Sequence, residues 1–201
     1  MSPEDMSPED MSLAGMSTDS MNPQGSRGSD GPGARGALRQ ICREDLGALI
    51  DLNNSEVPKV GPLTEDTAEQ LIEFAALLFA LGDPLEAFCV ALPPGTQYGS
   101  ANYRWVSERY DSFIYLDRIC VAPSAQRRGY GRALYEAIEQ NSDSEWFLLE
   151  VNTRPENPES LAFHAALGFV ELGRAEPYGD GTEVAYLGKR LREPADAFTE
   201  S

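Results

Sequence analysis

Gln126, Arg127, Arg128, Gly129, Tyr130, Gly131 and Arg132 make a basic, glycine-broken turn inside the stretch DRICVAPSAQRRGYGRAL, which spans 117–134. An apolar strand-like run leads into the turn and a helical pattern leaves it. Such a junction gathers unpaired backbone N–H groups and the positive end of a helix dipole at one point, which is a site for an anion. Glycine at 129 and 131 removes the Cβ atoms that would hold a phosphate away from the backbone. Ala133, Leu134, Ala137 and Ile138 then recur at helical spacing, so the loop is anchored on a helix with one buried face. A diphosphate is the ligand that fits.

Other glycine loops also bind phosphate, and this one departs from two of them. A Walker loop needs Lys followed by Ser or Thr, where Arg132 and Ala133 stand. A dinucleotide fingerprint needs GxGxxG early in a βαβ unit, whereas this chain offers GxG beyond its midpoint. A strand-turn-helix with no ligand is the plainer alternative. The segment resembles the (Gln/Arg)-x-x-Gly-x-(Gly/Ala) loop of the GNAT superfamily of acyl-CoA-dependent N-acetyltransferases, with Gln126, Gly129 and Gly131 at its fixed positions. That resemblance implies acetyl-CoA as co-substrate, and the widely spaced Cys42, Cys89 and Cys120 offer no metal cluster.

A second segment, EVNTRPENPESLAFHAALGF over 150–169, adds independent support. Asn157 before Pro158 is a good helix start and Gly168 a good stop. The same superfamily begins this helix with an Asn that contacts the pantetheine arm. Seven residues later it places a Tyr at the thioester sulfur, just before a Gly-Phe pair. Asn157 and Gly168-Phe169 match, but the seventh residue after Asn157 is His164, the chain's one histidine. An unperturbed imidazole near pKa 6.5 is about a quarter charged at pH 7, while tyrosine near 10 keeps its proton. His164 is therefore expected to hydrogen-bond the sulfur and to donate a proton less reliably than tyrosine, or else to be a packed residue.

The resemblance also implies direct attack by an amine on a thioester held between two splayed central strands. Backbone N–H groups around Ile119, Cys120 and Val121 would polarise the acetyl carbonyl. An alkylamine near pKa 10 must first lose a proton to a base. Tyr115 and Asp117 on the fourth strand and Glu150 on the next are the candidates, with Asp117 first although Arg118 beside it could pair with it. The acceptor is an unspecified primary amine, small or peptidic. A catalytically weak acyl-CoA-binding sensor or interaction module is the alternative, and turnover separates the two.

Positioning these groups calls for an α/β (α+β) fold, a central mixed, mostly antiparallel sheet of about seven strands with helices on both faces. The expected elements are a strand at 37–42, a helix at 43–54 and a second helix from Thr64 to about 74, with Glu65 and Asp66 in its first turn. A hairpin at 76–80 and 85–92 turns at Gly82, Asp83 and Pro84. Strands at 115–121, 146–151 and 183–191 follow. In SANYRWVSERYDSF the aromatics Tyr103, Trp105, Tyr110 and Phe113 read as packing. The connector LNNSEVPKVGPL occupies the place that lines the acceptor pocket in the superfamily, and is otherwise an ordinary link. The element order over 37–192 resembles a GNAT domain, and VPKVGPL, NYRW, DRICV, EVN and AFHAALGF resemble one bacterial-type subgroup.

All five methionines fall at 1, 6, 11, 16 and 21, in the register MSPED, MSPED, MSLAG, MSTDS, MNPQG. Residues 1–36 are rich in Ser, Pro, Gly and acids, and lack the apolar groups that offset ordering entropy, so disorder is expected there and in a short tail at 193–201. With no basic start, no long apolar run and three widely spaced cysteines in apolar segments, the chain reads as soluble and cytoplasmic, its thiols buried. The net charge is −17, and residues 37–192 alone carry 24 acidic and 14 basic side chains, or −10. Such a surface repels nucleic acid and favours cationic partners. The expected molecule is a monomer or homodimer that binds acetyl-CoA and an amine, with no membrane contact.

Overall fold

A computed structural model of the chain describes residues 37–57 and 60–193. The repeat at 1–36, the tail from 194 onward, and Pro58 and Lys59 of the connector lie outside the described residues. A short strand β1 (Arg39–Gln40) leads through a 3-10 turn into α1 (Leu46–Ser55), followed by α2 (Glu65–Phe74). The hairpin β2 (Leu77–Leu81) and β3 (Ala87–Leu92) precedes α3 (Ala101–Ser107). Then come β4 (Phe113–Val121), α4 (Tyr130–Asn141), β5 (Trp146–Arg154), α5 (Pro158–Ala166), β6 (Val170–Ala175) and β7 (Glu183–Arg190).

The strands form one sheet in the order β1-β2-β3-β4-β5-β7-β6, antiparallel at each pair except the parallel β4 and β5. Its two faces are both covered, which is why β3 reads as an unbroken apolar run, AFCVAL, buried throughout. Alternate residues divide between two cores. Cys89, Ala91, Leu116 and Leu149 pack with Leu134 and Ile138 of α4. Phe88, Val90, Leu92 and Leu148 pack with Leu49 of α1, Leu71 of α2 and Val106 of α3. The mixed sheet with helices on both faces is the architecture the sequence predicts.

Three details differ from expectation. The helix α3 stands where the sequence offered only aromatics, because a seven-residue helix is too short for its period to register. Ser100 starts it by accepting a hydrogen bond from the Tyr103 N–H at 3.3 Å. Strand β1 is two residues instead of six, and Cys42, beyond its end, is exposed, whereas Cys89 and Cys120 are buried. The first helix begins as a 3-10 turn at Arg43–Asp45, with Asp45 accepting from the Cys42 N–H at 2.9 Å. Among the described residues no helix is long and apolar enough to cross a membrane.

Candidate functional site

Strands β4 and β5 are each nine residues long but pair at only three positions, Phe113 with Trp146, Ile114 with Phe147 and Tyr115 with Leu148. Beyond Tyr115 and Leu148 they part, with β4 held by β3 and β5 by β7. The facing backbone edges, including those of Ile119, Cys120 and Val121, then border a wedge between the strands. Within β4 the register slips, so that Val90 opposes Arg118 and Ala91 opposes Leu116. Asp117 is the extra residue, a β-bulge that turns both Asp117 and Arg118 to the α1 side of the sheet.

The wide end of the wedge meets the glycine loop. Gly129 starts α4 at φ +80°, a left-handed conformation that glycine adopts without strain, and no side chain caps the helix. A Cβ built on Gly129 would meet nothing within 4 Å, so the space over the helix start is open. The first-turn amides of α4 face it with no acid nearby in that turn. Arg128 and Tyr130 turn away instead, bonding the two oxygens of Glu86 at 3.1 and 2.9 Å. Arg127, at φ +63°, is exposed, Arg132 is half-buried, and Gln126 and Gly131 complete the turn. An open, amide-lined helix start flanked by arginines fits a polyphosphate.

Helix α5 borders the wedge on the β5 side. The Asn157 Oδ1 accepts from the Ser160 N–H at 3.2 Å, as a helix cap does. At the other end Gly168, at φ +90°, lets the Phe169 N–H return to the His164 carbonyl at 3.0 Å. His164 is 1 % exposed. Burial holds its pKa down at about 4, so the ring is neutral at pH 7. Its Nδ1 lies 2.7 Å from the Ser160 carbonyl, which only accepts, so Nδ1 carries the proton. Nε2 is then the acceptor, and the buried Tyr135 hydroxyl donates to it at 2.7 Å. The N–H expected to face a thiolate is committed to the backbone, and the ring ties α5 to α4.

The other three predicted residues meet on the opposite face. Glu150, 1 % exposed, accepts from the Tyr115 hydroxyl at 2.6 Å and from the Asn102 Nδ2 at 3.0 Å. The Tyr186 hydroxyl in turn donates to the Asn102 Oδ1 at 2.9 Å. Desolvation, reinforced by the charge of Glu150, drives the Tyr115 pKa well above 10, so its proton stays in place. Asp117, fully buried, lies 3.4 Å from the Arg118 Nε and beside the Tyr98 hydroxyl. Arg118 also donates through Nη1 to the Asn53 Oδ1 at 3.0 Å and the Gly61 carbonyl at 2.6 Å. The predicted connector is therefore pinned to the bulge, while Asn54 exchanges bonds of 2.9 and 2.8 Å with the backbone of Leu63. Sequence reading missed Tyr98, Asn102, Tyr135 and Tyr186. The clue available was Ser100, two residues before NYRW, a small polar residue of the kind that caps a helix.

A sequence model described as the Acetyltransferase (GNAT) family matches residues 48–169, more than half of the chain. The chain belongs to the GNAT family of acetyltransferases. Solved structures of the same fold include the ribosomal-protein-S18-alanine N-acetyltransferase of Escherichia coli, at 22 % identity and TM-score 0.61, covering 80 % of this chain and 97 % of that one. NAA60 of Arabidopsis thaliana in complex with acetyl-CoA superposes at 15 % identity and TM-score 0.61, over 77 % and 97 % of the two chains. The acetyl-CoA complex of yncA from Salmonella typhimurium gives 14 % identity and TM-score 0.59, over 81 % and 97 %. No curated protein sequence matches.

Proposed function

We propose that this GNAT protein moves an acetyl group from acetyl-CoA to a primary amine by direct attack. The observation that carries the reading is the uncapped α4 start at Gly129, open above and flanked by Arg127 and Arg132, at the mouth of the β4–β5 wedge. In this reading the first-turn amides hold the pyrophosphate, and Gln126, Gly131 and the Asn157 side chain line the path of the pantetheine arm. The N–H groups of β4 from Ile119 to Val121 face the acetyl carbonyl, where charge develops as the amine adds. Holding both reactants in one wedge supplies most of the rate.

Asp117 takes the amine proton. It sits on the bulge beside the wedge, and its interaction with the Tyr98 hydroxyl links it to the rim of the sheet face. Glu150 has both oxygens engaged by neutral donors, so it acts as a positioning residue that fixes Tyr115 and Asn102. His164 is likewise a positioning residue, joining α4 and α5 through Tyr135 and Ser160. The released thiolate draws its proton from solvent, as a thiol near pKa 8.5 does readily at pH 7.

Release of free CoA from acetyl-CoA, followed against amine concentration, tests this. Asp117→Asn should lower kcat/KM about 100-fold or more, the usual contribution of a general base. Unchanged turnover at every pH would remove Asp117 from the mechanism. The absence of CoA release with any amine, together with tight acetyl-CoA binding, would favour the sensor reading, for which the committed N–H of His164 is the supporting observation.

A further inference from the structure

Residues 95–99, together with Tyr103, Arg104 and Ser107 of α3, line an open cavity of about 430 Å³, within the roughly 300–1,000 Å³ of small-molecule pockets. Two of its lining residues lead inward. Tyr98 interacts with Asp117, and Tyr103 packs edge-on against Tyr98 and Tyr115, with centroids 5.9 and 5.5 Å apart. Through these two tyrosines the wall of the cavity touches the β4 face at the bulge. The same face holds Glu150 and, two residues further along β5, the Asn152 Oδ1, a buried acceptor with no hydrogen-bond partner. This inner end is rich in acceptors and suits an amine.

The outer end is different. Among the described residues, nine arginines have a carboxylate within ion-pair distance, and Arg104, Arg127 and Arg132 have no carboxylate of a described residue that close. Two of these three flank the glycine loop, where an anion is already called for. Arg104 lines the cavity and is exposed. In a domain with a net charge of −10 over 37–192, counted as 14 basic minus 24 acidic residues, a guanidinium left without an acid is available to a ligand anion.

We infer that the acceptor is a free amino acid or a similarly short amino-carboxylate, its amine toward Asp117 and its carboxylate on Arg104. The inference rests on the acetyltransferase reading and narrows its acceptor. The amine displaces the Tyr98 hydroxyl from Asp117, the N–C bond forms and the C–S bond breaks. Of the two protons the ammonium gives up, one ends on the CoA sulfur and the other leaves through Asp117 to solvent. A polypeptide N-terminus carries an amide where a free amino acid carries its α-carboxylate, and so forfeits the Arg104 contact.

The test uses the full chain and follows CoA release with the twenty amino acids, the matching α-carboxamides and tripeptides carrying the same N-terminal residues. An acceptor amino acid should exceed its carboxamide by about tenfold or more in kcat/KM, the usual worth of a charged hydrogen-bonded contact. In Arg104→Gln that ratio should fall to near one, with the acetyl-CoA thermal shift retained. Equal use of acids and amides by the unaltered protein, an unchanged ratio in Arg104→Gln, or preference for tripeptides would each overturn the inference. Acetyl-CoA binding without turnover of any amino acid would also overturn it and leave the cofactor assignment standing. A protein that fails to bind acetyl-CoA loses both.

Discussion

His164 shows how much one residue's surroundings decide. The sequence places it where the family keeps a tyrosine, and the fold then buries it, with Tyr135 on one nitrogen and the Ser160 carbonyl on the other. Its pKa near 4 in the folded chain lies below the unfolded value near 6.5, so the unfolded state binds the extra proton. The stabilising effect is complete above about pH 6.5 and is lost as pH falls toward 4. Between pH 6.5 and 5, where ordinary carboxylates stay charged, the loss should be about 2 kcal/mol. Urea midpoints taken across that range should show this slope in the unaltered protein and a flattened one in His164→Leu; equal slopes would mean that His164 is not buried neutral. Gln126, Gly129, Gly131, Asn157 and His164 could be singled out because the resemblance to the family fixes their spacing. The partners of His164 could not, since Tyr135 lies on another helix and its contact depends on how α4 and α5 pack.

Among the elements, the β4 bulge governs the site. It sends Arg118 toward α1, where the guanidinium joins Asn53, the Gly61 carbonyl and Asp117 in a water-poor setting. Removing one partner from such a set leaves a buried charge uncompensated. Arg118→Met should therefore lower unfolding stability by roughly 3–5 kcal/mol, read from urea denaturation. A loss below about 1 kcal/mol would mean that Asp117 is relieved by another group. Strand and helix order was legible from period and punctuation, as with Thr64 and the GxG turn. A bulge was not, because one inserted residue leaves the alternation of FIYLDRICV intact on either side. Nor was α3, whose Asn102 supports Glu150 on the same face of the sheet.

At the scale of the whole molecule, the sheet of the described residues parts between its two parallel strands, and what the fold brings to that parting is asymmetric. On one face lie the α4 start with Arg127 and Arg132, and α5; on the other lie buried carboxylates and tyrosine hydroxyls. The domain's overall charge of −10 opposes an anionic ligand, so an anion has to be held by local groups, and the α4 start offers them. In the proposed reading the α4 start takes the cofactor and the acidic face takes the amine. The most direct measurement is the thermal shift of the full chain with acetyl-CoA, beside Gly129→Glu, which puts bulk and negative charge into the open space above the helix start. At a hundred times its dissociation constant the ligand should add about 2.7 kcal/mol, or roughly 5–10 °C. A shift of that size that disappears in Gly129→Glu is the predicted result; no shift in the unaltered protein, or an equal shift in both, would contradict the cofactor assignment.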